Sequence, residues 1–303
     1  MEYEISPEVR DTVRRAWEVR RAHFPDEIGF DYPQATEVLS TTGKACSLDC
    51  AHCGGHYLEG MIPFQEFAGR KVAEESRTSP DGSPQGRLFP KSCLISGGCD
   101  SRGKVPFLRY RDALAELKKH SRLNFHVGLV DDEDAAVLGK LADTVSFDFV
   151  GDDETIDEVF GFRRTVSDYL ASYRALRRHT RVLPHICVGL RGGHISGEYR
   201  ALEFLAREGI DGLVAIVFSP TPGTRYADRS PPSLDEVATF LATARLSFPD
   251  KPFFLGCMRP NGRYRAALDC LAVECGLNKL VQPTSGARSL AAERGLRVIR
   301  GEE

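Results

Sequence analysis

The most informative stretch of the chain is residues 35–53, ATEVLSTTGKACSLDCAHC. Residues 35–40 alternate in the manner of a β-strand. The loop that follows carries Cys46, Cys50 and Cys53 at C-x3-C-x2-C spacing, with Gly54-Gly55 directly after them. Thiolates are the preferred ligands of iron–sulfur clusters, and a structural [4Fe–4S] cluster normally takes four of them. Three cysteines on one loop therefore predict a cluster with one iron left open for another ligand.

Two other interpretations of the loop stay open. Cys46, Cys50, Cys53 and His56 would together make the ligand set of a Cys3His zinc site. Structural zinc sites more often pair two knuckles across a longer spacer, and no second pair follows here. The cysteines would otherwise be reduced and packed, although free cysteine is typically buried and this loop is polar and glycine-flanked.

The composition describes an ordinary globular chain of 303 residues, 42% hydrophobic and 27% charged. The net charge is −3 at pH 7, which predicts no broad basic face for nucleic acid. The longest apolar run, residues 213–218, is too short to span a bilayer, and the charged N-terminus does not resemble a signal peptide. Nine cysteines without a secretion signal favour metal ligation in a reducing cytoplasm over disulfides.

Apolar strands alternate with amphipathic helices along the chain. Ser6 and Pro7 predict the start of a helix over 6–23, the proline-rich residues 78–90 predict a surface loop, and a last helix is predicted over 285–294. Eight such alternations predict an α/β fold, a (β/α)8 TIM-type barrel in one domain, 1–303, with a core of about 36–283. An open barrel of six units is the alternative, because the last two strands are short. The strands are predicted at 35–40, 92–96, 124–130, 144–150, 181–190, 213–218, 251–255 and 279–281.

The cysteine loop resembles the defining motif of the radical S-adenosylmethionine (SAM) superfamily, which follows the first strand of a barrel. The resemblance implies that Cys46, Cys50 and Cys53 bind the cluster and that its open iron binds the amino and carboxylate groups of SAM. It also implies that the reduced cluster splits SAM into methionine and a 5′-deoxyadenosyl radical. The residue before the last cysteine packs on the adenine in that family, and here it is His52.

The resemblance continues along the chain, from about residue 36 to 283. Ser96-Gly97-Gly98 is similar to the glycine motif after the second strand, where an acidic residue usually follows; here Cys99 and then Asp100 follow. Asp148 and Asp152 are similar to the positions that hold the ribose of SAM, although N-capping of the next helix explains Asp152 equally well. Residues 189–198 and 220–224 are similar to segments of the biotin synthase-like branch.

The remaining cysteines bear on the chemistry that follows radical formation. Biotin and lipoyl synthases carry a second iron–sulfur cluster as sulfur donor, and in biotin synthase an arginine on a late strand ligates it, as Arg259 would here. Packing as small hydrophobes is the alternative, and it is the interpretation that we prefer for Cys270 and Cys275 on an outer helix. The residues considered for an auxiliary cluster are Cys93, Cys99, Cys187, Cys257 and Arg259.

Three hypotheses follow from the sequence. The first is a radical SAM sulfurtransferase that inserts sulfur at an unactivated C–H bond in lipoyl- or biotin-like cofactor biosynthesis, similar to biotin synthase and the archaeal-type two-component lipoyl synthases. The second is a radical SAM rearrangement, cleavage or methylation without a sacrificial cluster, as in enzymes resembling methylornithine synthase or hydrogenase maturases. The third is a structural or electron-transfer metal protein. For the enzymes, the resemblance implies a ferredoxin- or flavodoxin-type electron donor, a free or carrier-protein-bound acyl substrate and a paired radical SAM protein as partners.

Overall fold

The fold is described from a computed structural model that covers residues 4–75 and 89–300. Residues 78–88 of the predicted surface loop lie outside this range. No helix in the described part of the chain is long and apolar enough to cross a membrane.

The described residues contain eleven strands, and every pairing between the strands of one unit is parallel. The strands are β1 (Glu27–Asp31), β2 (Thr36–Ser40), β3 (Ile62–Pro63), β4 (Ser92–Ser96), β5 (Arg122–Phe125), β6 (Thr144–Asp148), β7 (Val182–Val188), β8 (Leu213–Val217), β9 (Phe253–Leu255), β10 (Lys279–Val281) and β11 (Arg297–Arg300).

Helices follow most of the strands. They are α1 (Pro7–His23), α2 (Phe64–Glu75), α3 (Arg111–Lys118), α4 (Asp132–Leu141), α5 (Asp153–Thr155), α6 (Val166–His179), α7 (Glu198–Glu208), α8 (Leu234–Ser247), α9 (Gly262–Glu274) and α10 (Ser285–Glu293). A π-helical segment, Ile156–Phe160, continues α5, and short 3-10 turns lie at His56–Leu58 and Leu108–Tyr110.

The contacts of the chain group it into two compact units. The first unit holds β1 and the strands from β7 onward, in the order β11-β1-β10-β9-β8-β7. In this unit α1 packs on α8, and Trp17 and Phe240 are among its buried side chains. Because the strands are parallel, their carboxyl ends meet at one edge of the sheet, where active sites of such folds lie.

The second unit holds the strands β2 to β6, in the order β6-β5-β4-β2-β3. Its core contains the buried aromatic side chains Phe107, Phe125, Phe147 and Tyr173. Leu39 on β2 is opposite Ile95 on β4, so the loops that follow these two strands start side by side. The cysteine loop and the glycine pair are therefore neighbours in the fold, as their positions after consecutive predicted strands require.

Local sequence signals position the helices as predicted. Ser6 caps α1 with Pro7 at its first position, and the side chain of Ser6 accepts from the amide of Val9. Ser233 and Glu236 form a capping box at the start of α8, as the sequence predicts. The sequence did not predict β1 or β11, which pair with each other over Glu27–Phe30 and Arg297–Arg300.

Candidate active site

The cysteine loop is held in shape by its backbone. The carbonyl of Cys50 accepts the amides of Cys53 (3.0 Å) and Gly54 (2.9 Å), which closes one helix-like turn. Residues three apart on such a turn share a face, so Cys50 and Cys53 point the same way. Gly54 and Gly55 then reverse the chain at φ of 50° and 80°, a region that favours glycine. Ala51 is fully buried and anchors the loop to its unit.

The glycine pair approaches the start of this loop very closely. A Cβ atom built on Gly98 would lie 2.0 Å from the carbonyl oxygen of Ala45 and 2.6 Å from Cβ of Cys46. The amide of Gly98 donates to the hydroxyl of Thr42 at 2.7 Å, and the amide of Ser47 donates to the carbonyl of Cys99 at 2.7 Å. The glycine pair therefore packs directly against the first cysteine of the loop.

Replacing Gly98 with alanine should disrupt this arrangement. The added methyl group collides with backbone atoms that cannot rotate away, so we expect the Gly98→Ala variant to lose most of its iron on anaerobic reconstitution. Gly60 is a matched control, because it lies just beyond the same loop and a Cβ there meets nothing within 4 Å. Iron content measured by colorimetric assay checks the prediction, and equal iron in the Gly98→Ala and Gly60→Ala variants would contradict it.

The three thiols of the loop interact electrostatically. Cys46 is exposed, whereas Cys50 and Cys53 are half-buried. Burial raises the pKa of Cys50 to about 12, and the neighbouring thiols add to the shift. Thiolates crowded together in a partly dry site repel one another, so a bound cationic group is needed to hold all of them ionised. The donor set and its crowding fit the cationic core of a [4Fe–4S] cluster.

His56, the fourth residue of the zinc interpretation, has another partner. Its ring nitrogen Nδ1 lies 3.6 Å from a carboxylate oxygen of Glu59, and its side chain is half exposed. In the part of the chain that the structure describes, no three His, Cys, Asp or Glu side chains are arranged around a single metal ion. A cubane cluster does not need its cysteines to surround one metal ion, since each cysteine binds a different iron.

The other residues predicted around this loop lie in the same unit. His52 is half-buried, with its ring centroid 6.5 Å from that of Tyr57. Ser96 is buried and donates its hydroxyl to the carbonyl of His126 at 2.9 Å, so its side chain serves the fold. Thr42 is a residue that sequence reasoning missed. The signal was the pair of hydroxyl residues, Thr41 and Thr42, directly after β2.

Asp148 and Asp152 lie in the first unit. Asp148 is exposed at the carboxyl end of β6. Asp152 is buried and caps α5, because its carboxylate accepts both the amide and the hydroxyl of Thr155 at 2.7 Å. The N-capping explanation of Asp152 therefore describes its contacts, whereas Asp148 keeps an exposed carboxylate at a strand end.

A small cavity of about 20 Å³ lies beside Asp152, with Cys187 and Glu198 among its lining residues. It has room for one or two water molecules. The carboxylate of Glu198 accepts the amides of Gly189 (2.8 Å) and Ser196 (2.6 Å), which fixes the segment after β7. Burial raises the pKa of Glu198 and of the Cys187 thiol, and the charges of Asp148 and Glu198 add to the effect on Cys187.

The remaining auxiliary-cluster candidates have different environments. Cys93 is fully buried on β4 and Cys257 is exposed after β9. Arg259 is buried, and its guanidinium donates to the Asp269 carboxylate at 2.7 Å and to the carbonyls of Gly256 and Val281. These contacts explain Arg259 as a residue that ties β9 and β10 to α9. Cys270 and Cys275 are buried, in agreement with the packing role predicted for them.

The first unit also contains a polar network that the sequence did not reveal. Glu158, in the π-helical segment, accepts from the hydroxyl of Tyr226 at 2.5 Å and from Nε of Arg191 at 2.7 Å. These two bonds lower the pKa of Glu158. Glu158, Arg191 and Tyr226 are far apart in the sequence, so no local sequence pattern predicts this network.

Comparison with known proteins establishes the fold. No protein-family model matches the sequence, and no curated protein matches it. Among solved structures, methylornithine synthase (PylB) matches with a TM-score of 0.67 at 14% identity, covering 98% of this chain and 91% of that one. HydG, a maturase of the [FeFe]-hydrogenase, matches with a TM-score of 0.68 at 14% identity, over 99% of this chain and 70% of that one. HydG from Carboxydothermus hydrogenoformans gives 0.65 at 13% identity, over 98% and 73%.

The fold class predicted from the sequence is confirmed by these structures. The chain is α/β, with parallel strands in each unit and an N-terminal helix. At 13–14% identity, the likeness to methylornithine synthase and HydG shows a shared fold.

Proposed function

We propose that this chain, which has a radical SAM fold, is an enzyme that cleaves SAM at a [4Fe–4S] cluster. The observation that carries the proposal is the crowding of three thiols on one loop whose first cysteine rests on Gly98. Cys46, Cys50 and Cys53 would each hold one iron. With SAM bound at the fourth iron, the reduced cluster would supply the electron that generates a 5′-deoxyadenosyl radical.

The other residues of the chain would bind and orient SAM. The backbone around Gly97 and Gly98 lacks side chains and so permits close approach of the methionine end of SAM. His52 remains the predicted adenine contact, and Asp148 remains the predicted ribose contact because its carboxylate is exposed. An electron donor of the ferredoxin or flavodoxin type is the partner that this chemistry requires.

Among the reaction classes, we favour a rearrangement, cleavage or methylation that uses one cluster only. Two observations support it: the donors of Arg259 are taken by Asp269 and by main-chain carbonyls, and Cys93 is fully buried. Methylornithine synthase and HydG are the enzymes whose folds match. Sulfur insertion with a second, sacrificial cluster is the other candidate, for which Cys187 and Cys257 remain as thiols near strand ends.

The proposal predicts SAM cleavage by the reconstituted protein. After anaerobic reconstitution and reduction with dithionite, we expect 5′-deoxyadenosine to form from SAM, measured by chromatography. About four iron and four sulfide atoms per chain would accompany a single cluster, and about twice as much iron would favour the sulfur-inserting enzyme. A full cluster without any SAM cleavage would contradict the enzyme and leave a structural or electron-transfer protein.

A further inference from the structure

A fourth cysteine lies beside the cysteine loop. Cys99 directly follows the glycine pair, and its carbonyl accepts the amide of Ser47, which lies between the first two cysteines of the loop. Gly98, its neighbour, abuts Cβ of Cys46. Through these two contacts the backbone at Cys99 is fixed against the loop that carries the other three thiols.

The thiol of Cys99 packs beside a glycine. A Cβ atom built on Gly128 would lie 3.6 Å from Sγ of Cys99, which is ordinary van der Waals contact. Gly128 has a φ of 66°, which also favours glycine there. Cys99 is half-buried and is therefore accessible in part to a bound group.

Cys99 also interacts with the loop thiols. Together with Cys53 and Cys46, it is one of the neighbouring thiols whose charges act on Cys50. Because such interactions weaken with distance, this agrees with the main-chain contacts that fix Cys99 against the loop.

The neighbouring carboxylate has a structural task. Asp100 accepts the amides of Arg102 (2.8 Å) and Lys104 (3.1 Å) through one oxygen, and the guanidinium of Arg102 lies 3.3 Å from the other. Burial opposes ionisation of Asp100, but these bonds outweigh it and lower its pKa. Asp100 therefore shapes its own turn, whereas Cys99 is the residue of this segment whose main chain contacts the cysteine loop.

We propose that Cys99 is a fourth ligand of the same cluster, which occupies the open iron while SAM is absent and is displaced when SAM binds. This inference rests on the proposed function. It differs from an auxiliary cluster, since it adds a thiolate to the first cluster and no further iron. Three irons are held by the cysteines of the loop. The expected benefit of Cys99 is that the fourth iron is retained until SAM binds.

Two measurable consequences follow. Without SAM, a cluster with four thiolates should resist oxidative loss of iron, whereas a cluster with three should lose one iron and become a three-iron cluster. In addition, Cys99 competes with SAM, so its removal should lower the apparent dissociation constant of SAM. If Cys99 occupies the iron in about nine-tenths of the molecules, the decrease is about tenfold.

The experiment compares reconstituted wild-type protein with the Cys99→Ala and Cys99→Ser variants. Each is oxidised with ferricyanide in the absence of SAM, and its iron content and the EPR signal of the three-iron cluster are measured. The dissociation constant of SAM is then measured on unoxidised protein. Cys270→Ala is the control for loss of a thiol, because Cys270 is buried on α9 in the other unit.

We expect the wild type and Cys270→Ala to keep about four irons, and Cys99→Ala to lose about one of them and to bind SAM more tightly. Cys99→Ser, with a weaker oxygen ligand, should fall between. Equal three-iron signals in the wild type and Cys99→Ala, or a SAM dissociation constant that is unchanged or raised in Cys99→Ala, would overturn the inference. With normal SAM cleavage, that result leaves the proposed function intact; a wild type that takes up no iron would refute both.

Discussion

The Cys50→Ala variant is expected to bind almost no iron after reconstitution and to cleave SAM at least about 100-fold more slowly than the wild type. Loss of residues that merely support a metal ligand costs 10–100-fold, and loss of a ligand should cost more. Cys50 is the most consequential of the three, because it lies between the other two and interacts with both thiols. Its carbonyl also closes the turn to Cys53, but alanine leaves that bond in place.

The control for this variant is again Cys270→Ala, which removes a thiol without touching the loop. Iron content, visible absorption and 5′-deoxyadenosine formation are measured on all three proteins. Circular dichroism should be the same in each, because α and β structure do not depend on the thiol of Cys50. A Cys50→Ala variant that keeps its full iron would show that the cluster lies elsewhere in the chain.

The second large effect concerns stability. Asp269→Ala should lower the free energy of unfolding by about 3–5 kcal/mol, the usual cost of removing one partner from a buried ion pair. The side chains of Arg259 and Asp269 are both completely buried, with 2.7 Å between Nε and Oδ1. The other oxygen of Asp269 accepts the amide of Thr284. The substitution therefore leaves the buried charge of Arg259 with main-chain carbonyls but no carboxylate, and it leaves the amide of Thr284 without its acceptor.

Urea unfolding of the apo protein checks this prediction. Asp11 is a matched control, since its bond to Arg14 is equally short at 2.6 Å but both side chains are more than half exposed. Asp11→Ala should leave the unfolding midpoint unchanged. Equal midpoints for the two variants would contradict the structural role of the buried pair. Iron uptake by Asp269→Ala also tests the auxiliary cluster, because displacement of a ligating Arg259 would reduce it.

Much of the fold is predictable because its signals are local. Ser6-Pro7 marks the start of α1, and apolar runs mark β4 and β10 at the bounds found in the structure. The strand predicted at 124–130 instead runs over Arg122–Phe125, because Gly128 turns the chain at positive φ. The sequence did not reveal β1 and β11, since short strands with charged ends look like loops until a distant partner pairs with them.

The candidate site also has features that local sequence patterns predict and features that depend on distant partners. The spacing of Cys46, Cys50 and Cys53 and the glycine pair are patterns within a few residues, and the structure brings these two loops together. The contacts of Asp152 and Arg259 depended on partners that the motif does not contain. Thr155 draws Asp152 into a cap, and Asp269, ten residues along the chain on α9, holds Arg259. Resemblance to a motif identifies a position, but side-chain chemistry depends on the neighbours.

The support of the cysteine loop has a consequence for how the protein is assembled in the cell. The turn at Cys50, the Gly54-Gly55 reversal and the Ser47–Cys99 bond involve main-chain atoms, and Ala51 supplies a buried anchor. None of these interactions uses sulfur, in contrast to zinc fingers, whose folding requires their metal. The polypeptide should therefore fold first and receive its iron afterwards from a maturation system. Under metal starvation the folded apo protein would then accumulate, and it would bind a cluster once iron returns, without new protein synthesis.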